Sequence, residues 1–218
     1  LSIPISSKTD FYAFAGSNTR NTDAYAFTRN DGPRVVESIY PGGFTPRITS
    51  DILDNSIAVG IKTKFNNGWK LDFSNTLGNN SFHYNIKGTL NASLQGNSPT
   101  SFDAGGHKLL QNTTNLDFSK YYDSVLEGFN LALGSEFRVE KFNIFAGEVG
   151  SYATYDINGN VVTDPTTQTI PTDPISGDPR PGGSQGFPGY SPSNEVNETR
   201  SNFSLYADGE LDITKSLM

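Results

Sequence analysis

The chain has 218 residues, a formal net charge of −7 and a mean hydropathy of −0.45. No stretch approaches the ~18 consecutive apolar residues of a membrane helix, but a transmembrane barrel escapes that test because every second strand residue faces a polar lumen. The acidic balance offers no basic stripe to nucleic acid, and the absence of cysteine excludes disulfides and thiolate metal sites.

No apolar 3.6-residue period persists beyond two turns, and 22 Gly and 12 Pro favour turns, so the chain reads as all-β. Leu1 to Ile5 reads as the tail of a strand, and Ser6 to Thr9 as a tight polar turn. A strand from Phe11 toward Arg29 is expected, interrupted near Gly16 to Asp23. Asp31-Gly32-Pro33 breaks it, and Pro41-Gly42-Gly43 with Pro46 keeps the chain irregular to about Ser50. Ile57, Val59, Ile61 and Phe65 then share one phase, opposite Ala58, Gly60, Lys62 and Lys64, and Asn66-Asn67-Gly68 turns the chain.

Trp69, Leu71, Phe73 and Leu77 carry the apolar phase back. After Gly78-Asn79-Asn80-Ser81 it switches to even positions, with Phe82, Tyr84, Ile86, Leu90, Ala92 and Leu94. Either a bulge keeps one long strand going or a second hairpin turn lies here, and the bulge is favoured. Gln95 to Gly106 reads as a loop.

The clearest hairpin runs from Thr114 to Val139, with Leu116 and Phe118 in its first strand and Phe129, Leu131, Leu133, Phe137 and Val139 in its second. A phase shift at Glu140-Lys141 carries the second strand through Phe142, Ile144 and Ala146 toward Tyr155. Asp156 to Asn197 is a long loop holding most of the prolines, a length that signals function or disorder. Phe203, Leu205, Ala207, Leu211 and Ile213 mark the last strand, and the chain ends just after it. With no initiator Met or secretion signal at Leu1, the chain is expected to be a piece of a longer protein.

Short and long connections alternate, which in an up-and-down sheet puts all short turns at one end, as in outer-membrane barrels. Phe11 and Tyr12, Phe65 and Trp69, and Tyr121, Tyr122 and Phe129 gather near the short turns, as an interfacial aromatic belt would. Aromatic cross-strand pairs that close hairpins in any sheet are the alternative.

Few residues suggest chemistry. Asp156-Ile157-Asn158-Gly159-Asn160, with Asp164 beyond, spaces oxygens as some calcium loops do, but it lacks the distal bidentate Glu and reads better as an Asn-Gly turn. His83 reads as a lumen-side residue and His107 as a loop-end residue, too separated for a metal or Ser/His/Asp constellation. Acceptor patterns at Asn79, Asn91, Asn112, Asn197 and Asn202 are expected by chance in an Asn-rich chain, and Glu136 with Glu148 reads as lumen charge rather than an acid/base couple. No catalytic, cofactor-binding or metal residue is assigned, the ligand-binding residues stay unknown, and no enzyme is expected.

Three segments, Ile39-Tyr40-Pro41-Gly42-Gly43-Phe44-Thr45-Pro46, Ser98 to Gly106 followed by Gln111 to Asp117, and Gly183 to Tyr190 with Asn194-Glu195-Val196, resemble TonB-dependent outer-membrane receptors of Bacteroidetes-like bacteria. The resemblance implies that residues 1–218 are part of the transmembrane domain: about six strands and part of a seventh of a barrel of ~22 strands. The plug domain and remaining strands lie outside this chain. It implies a location in the cell outer membrane and energy-coupled uptake of a scarce nutrient such as a ferric siderophore. The expected partners are membrane lipid, the plug and remaining strands of the same protein, TonB through the absent N-terminal part, and a small nutrient ligand. The alternative is a surface binding or adhesion barrel without transport.

The faces follow from charge. Phe129, Leu131, Leu133 and Phe137, with Ile57, Val59, Ile61, Leu205, Leu211 and Ile213, should point to lipid. Asn130, Glu136, Arg138, Lys62, Lys64, Asp208, Glu210 and Asp212 should point to the lumen.

Overall fold

A computed structural model describes residues 1–214, and the chain end that follows lies outside the described residues. Seven strands form one antiparallel up-and-down sheet in sequence order: β1 Ser2–Ser6, β2 Thr9–Tyr25, β3 Arg47–Lys64, β4 Lys70–Lys87, β5 Ser101–Tyr122, β6 Gly128–Phe145 and β7 Val196–Asp212. Six are long and β1 is short, and the sheet is not closed, because β1 and β7 pair on one side only among the described residues.

The connections separate by length as expected. Short turns occupy 7–8, 65–69 and 123–127 at one end, and loops 26–46, 88–100 and 146–195 lie at the other. In the β3–β4 turn Gly68 takes φ +87°, a left-handed geometry without penalty for glycine, and donates its N–H to the Phe65 carbonyl. The β5–β6 turn sets Leu126 at φ +49° before Gly128 donates to the Val125 carbonyl.

Several boundaries differ from the sequence reading. β2 runs unbroken through Gly16 to Asp23 and stops at Tyr25 rather than Arg29. This segment is polar on both faces, so no alternation marks it. Its register with β3 still runs without a break at every step, pairing the backbone groups on that edge. β3 begins at Arg47 instead of after Ser50. β4 ends at Lys87, Gly88 turns the chain at φ +58°, and Leu90, Ala92 and Leu94 belong to the loop. The expected loop from Gln95 to Gly106 is correspondingly shorter, because β5 starts at Ser101. β6 ends at Phe145, followed by the single helical turn α1, Val149–Tyr152, so no strand reaches Tyr155.

The largest correction concerns Gly78 to Ser81, which is neither a bulge nor a turn. Gly78, Asn79, Asn80 and Ser81 pair in unbroken register with Ser56, Asn55, Asp54 and Leu53 on one side and with Gln111, Leu110, Leu109 and Lys108 on the other. Glu140 and Lys141 are likewise in register on both sides. Since side chains alternate strictly along a strand, the change of apolar phase without a change of register means that the apolar residues change face. The one irregularity in β4–β5 pairing lies higher, between His83 and Asn85, where β5 accommodates the extra residue with Gly105 at φ +76°.

The contiguous buried hydrophobic cluster lies in the loops, while Ile52, Ala58, Ile86, Phe102 and Ala104 are buried along the strands. Val35, Val36 and Phe44 from the first long loop pack with Leu90 and Ala92 from the second, with Ile39 and Tyr40 against them. Tyr40 and Phe44 stack at 4.7 Å.

Candidate functional site

Strand register defines two faces. On one, successive rows read Ile61-Phe73-Leu116-Ser135-Leu205, Val59-Asn75-Thr114-Phe137-Phe203 and Ile57-Leu77-Asn112-Val139-Ser201. Phe129 faces Leu211 on the same side, and Leu133 lies between Phe118 and Ala207. The expected apolar set, Phe129, Leu131, Leu133, Phe137, Ile57, Val59, Ile61, Leu205 and Leu211, therefore shares one face. Ile213 falls one residue beyond β7.

This face is uncovered: Ile57 and Phe137 are each 48% exposed, Phe73 49% and Leu205 74%, and no second sheet lies on it among the described residues. The polar residues within it satisfy each other. Asn75 and Asn112 exchange two amide hydrogen bonds at 3.0 Å, and Asn75 also donates to the Thr114 hydroxyl at 2.8 Å. The band from Phe129 to Val139 on β6 spans about 33 Å along the strand at the usual rise per residue.

Asn130, Glu136, Arg138, Lys62, Lys64, Asp208, Glu210 and Asp212 share the other face. In β4 to β7 the carboxylates Asp72, Asp117, Glu136, Glu140, Glu198, Asp208, Glu210 and Asp212 all lie on it. Asp72 and Asp117 are directly paired across β4 and β5. Each accepts a tyrosine hydroxyl, Tyr12 on Asp72 at 2.8 Å and Tyr206 on Asp117 at 2.9 Å, with Lys62 at 3.6 Å from Asp72. Glycine makes this possible: a Cβ at Gly60 would overlap the Tyr12 ring, and one at Gly134 the Tyr206 ring. Around this wall a depression of about 430 Å³ is bordered by Asp10, Lys62, Asp72, Asp117 and Tyr206. Higher up, Arg138 contacts Glu136 at 2.7 Å but leaves its Nε buried without a partner, and Arg20 and Asn80 both reach Asp54.

Toward the loop end the polar face turns apolar and aromatic. Phe82 stacks on His107 at 5.0 Å, Tyr84 is 5.9 Å from His107, and Phe142 is 6.4 Å beyond it. Loop 146–195 folds down here, setting Phe187 at 5.3 Å and Tyr190 at 6.4 Å from Tyr84. The opposite face becomes polar over the same rows, with Ser81, Lys108, Lys141, Asn143 and Thr199.

The loops are tied to one another. Arg180 donates to the carbonyls of Pro33 and Val35 and faces Asp173 at 3.4 Å, both side chains nearly fully buried. Asn91, fully buried, donates to the carbonyls of Gly150 and Ala153, and the Thr89 hydroxyl donates to the Gln185 carbonyl.

The histidines sit differently from expectation. His83 occupies the apolar-phase face above its apolar rows, 2.9 Å from Asp103, and is not on the polar face. His107 is in the middle of an aromatic cluster on β5, not at a loop end. Both errors follow from the exchange of faces. Tyr12 and Tyr121 face the polar side and leave the aromatic group near the short turns, whereas Phe11, Tyr122 and Phe129 remain on the apolar side, with Phe65 and Trp69 beside Phe118 and Leu133.

Glu136 and Glu148 are not brought together: Glu136 lies on β6, and Glu148, beyond the strand, accepts from the Asp103 N–H at 3.0 Å. The Asp156 segment closes as a turn. Asp156 Oδ1 accepts the N–H groups of Asn158 and Asn160 at 2.9 Å, and Gly159 takes φ +81°. These hydrogen bonds, the one from Asn160 foremost, hold the Asp156 carboxyl below its ordinary range. No cluster of His, Cys, Asp or Glu that could hold a metal occurs among the described residues. Of the five Asn-x-Ser/Thr positions, Asn79, Asn112, Asn197 and Asn202 lie in strands and Asn91 is buried.

The arrangement defines a class: an open up-and-down sheet with one uncovered apolar face, one charged face and a folded cap at a single end. No family model matches the chain, and no curated protein or solved structure matches it.

Proposed function

We propose that the chain is a sector of the wall of an outer-membrane barrel of the TonB-dependent receptor kind, taking part in energy-coupled import of a scarce nutrient such as a ferric siderophore. The observation that carries the membrane reading is the uncovered apolar face, continuous over six strands. Monomeric soluble proteins rarely leave such a surface to water. A strand length of about 33 Å tilted by ~40° gives ~25 Å of height, the thickness of the apolar band of outer-membrane barrels. The segregation of all long loops to one end supports the same reading, with the short turns periplasmic. The free edges of β1 and β7 would be costly in lipid, so further strands of the same polypeptide complete the wall.

On this reading the charged face lines the lumen. Its carboxylates, tyrosine hydroxyls and Arg138 meet the plug and the passing nutrient, and the loop cap narrows the mouth. The import reading rests on the sequence resemblance. Its test is uptake of radioactive iron, loaded into siderophores secreted by the native bacterium, in cells with and without the gene and with an uncoupler added. Uptake that needs both gene and proton gradient is expected. Uptake that is unchanged by deletion overturns the import reading, and loss of surface attachment in that same strain assigns the chain to an adhesion barrel.

A further inference from the structure

Two lysines at the loop end of the uncovered face have no ion-pair partner among the described residues. In β4 to β7 the carboxylates lie on the opposite face, apart from Asp103, which is engaged by His83 and by the Gly105 N–H. Yet Lys108 and Lys141 project from the apolar-phase side of this acidic chain, and neither forms an ion pair among the described residues. Their position is specific. Lys141 is the next residue on this face after Val139, where the apolar rows end, and Lys108 pairs with Asn143 one row further. The Lys108 ammonium lies 5.1 Å over the Phe145 ring, which holds it on this side of the sheet. Of the directly paired neighbours on this face, Ser81, Asn143 and Thr199 are neutral hydrogen-bonding groups and Leu110 is apolar.

We propose that Lys108 and Lys141 form a docking patch for the phosphate head group of a membrane lipid in the leaflet at the loop end of the sheet. The inference rests on the membrane reading above and goes beyond it, by assigning a head-group class to a named pair of residues. Two unpaired ammonium groups at the border of an apolar band sit at the depth where lipid phosphates lie, with the acyl chains along Val139, Leu77 and Phe137 below. A zwitterionic head group would gain less, since its own cation opposes the lysines.

The test is native mass spectrometry of the full-length protein in detergent, counting adducts of bis-phosphorylated lipid A and, separately, of phosphatidylcholine. Lys108→Gln with Lys141→Gln should weaken lipid A retention roughly thirtyfold, from the usual contribution of each lysine near an anionic surface. Lys108→Arg with Lys141→Arg should retain it, and Lys64→Gln with Lys70→Gln, on the opposite face, should leave it unchanged. Equal retention by the Gln pair and the unmodified protein overturns the proposal, as does equal retention of phosphatidylcholine or displacement of lipid A by millimolar inorganic phosphate. Heat-modifiable gel mobility separates the two levels. A Gln pair that assembles normally yet keeps its lipid A refutes the patch alone, whereas a full-length protein that never partitions into membranes refutes the reading on which it rests.

Discussion

Leu133→Arg places the greatest demand on the assignment of faces. Leu133 lies between Phe118 and Ala207, near the middle of the band from Phe129 to Val139. An arginine on the lipid side close to the midplane costs ~2–4 kcal/mol, a shift of roughly 30- to 1,000-fold in the balance between assembled and unassembled protein. Glu136→Ala removes a carboxylate from the other face. Its ion pair with Arg138 is 2.7 Å long, but both side chains are about one-third exposed, so its loss costs at most ~1 kcal/mol. The assay is heat-modifiable gel mobility of the intact protein recovered from membranes. Leu133→Arg should lose most of the folded species and Glu136→Ala little. Equal assembly of the two, or worse assembly of Glu136→Ala, would mean that the faces are reversed or that the apolar face meets protein and not lipid.

The remaining expectations concern the wall and the cap. Gly134→Val should destabilise the sheet by ~1–3 kcal/mol through overlap with Tyr206, and Tyr206→Ala in the same chain should recover part of that, read as the temperature at which heat-modifiability is lost. Arg180→Leu strips the donors from the Pro33 and Val35 carbonyls and the cation from Asp173, which keeps the Ser176 N–H, and should expose loop 146–195 to limited proteolysis while the strands stay protected. Asp156, Asp164 and Asp173 all have carboxyls held below their ordinary value of 3.8, mainly by hydrogen bonds from Asn160, Thr166 and Ser176 respectively. A depressed carboxyl contributes stability that is fully present above its unfolded value and is lost as pH falls through the folded one. Hydrogen exchange in this loop should thus be unchanged from neutral pH down to about 5 and accelerate below about 4, after correction for the intrinsic rate. Asp156→Asn should reduce that acid response.

Alternation made most of the fold legible. Where one face is apolar and the other charged, as in Ile57 to Lys64 or Phe129 to Val139, the sequence states both the strand and its sidedness. Gly16 to Asp23 was illegible because neither face is buried there, so the strand is held by its ladder to β3 alone. The phase change at Gly78 was visible, but phase alone cannot separate a slipped register from an exchange of faces. Only pairing with two neighbours decides it. His83 and His107 were misassigned for the same reason. The charged wall was foreseeable residue by residue, whereas the Asp72–Asp117 contact and its two flanking tyrosines require cross-strand register that no local pattern encodes.

The ties among the loops have a mechanical consequence. Arg180 fastens the β6–β7 connection to the β2–β3 connection, and Asn91 and Thr89 fasten it to the β4–β5 connection. Three successive hairpins are thereby cross-braced at one rim through buried groups, while the short turns of the opposite rim are linked by lighter, exposed contacts, the Lys8 ammonium donating to the Asn66 side-chain carbonyl and Phe65 and Trp69 lying beside Phe118 and Leu133. Splaying one hairpin from the next at the braced rim means pulling a buried guanidinium or a buried amide away from its carbonyls, whereas at the other rim the ladder is helped only by exposed contacts that water can replace. The sheet is thus pinned most firmly at its loop end, and a load applied at the turns would flex it there first.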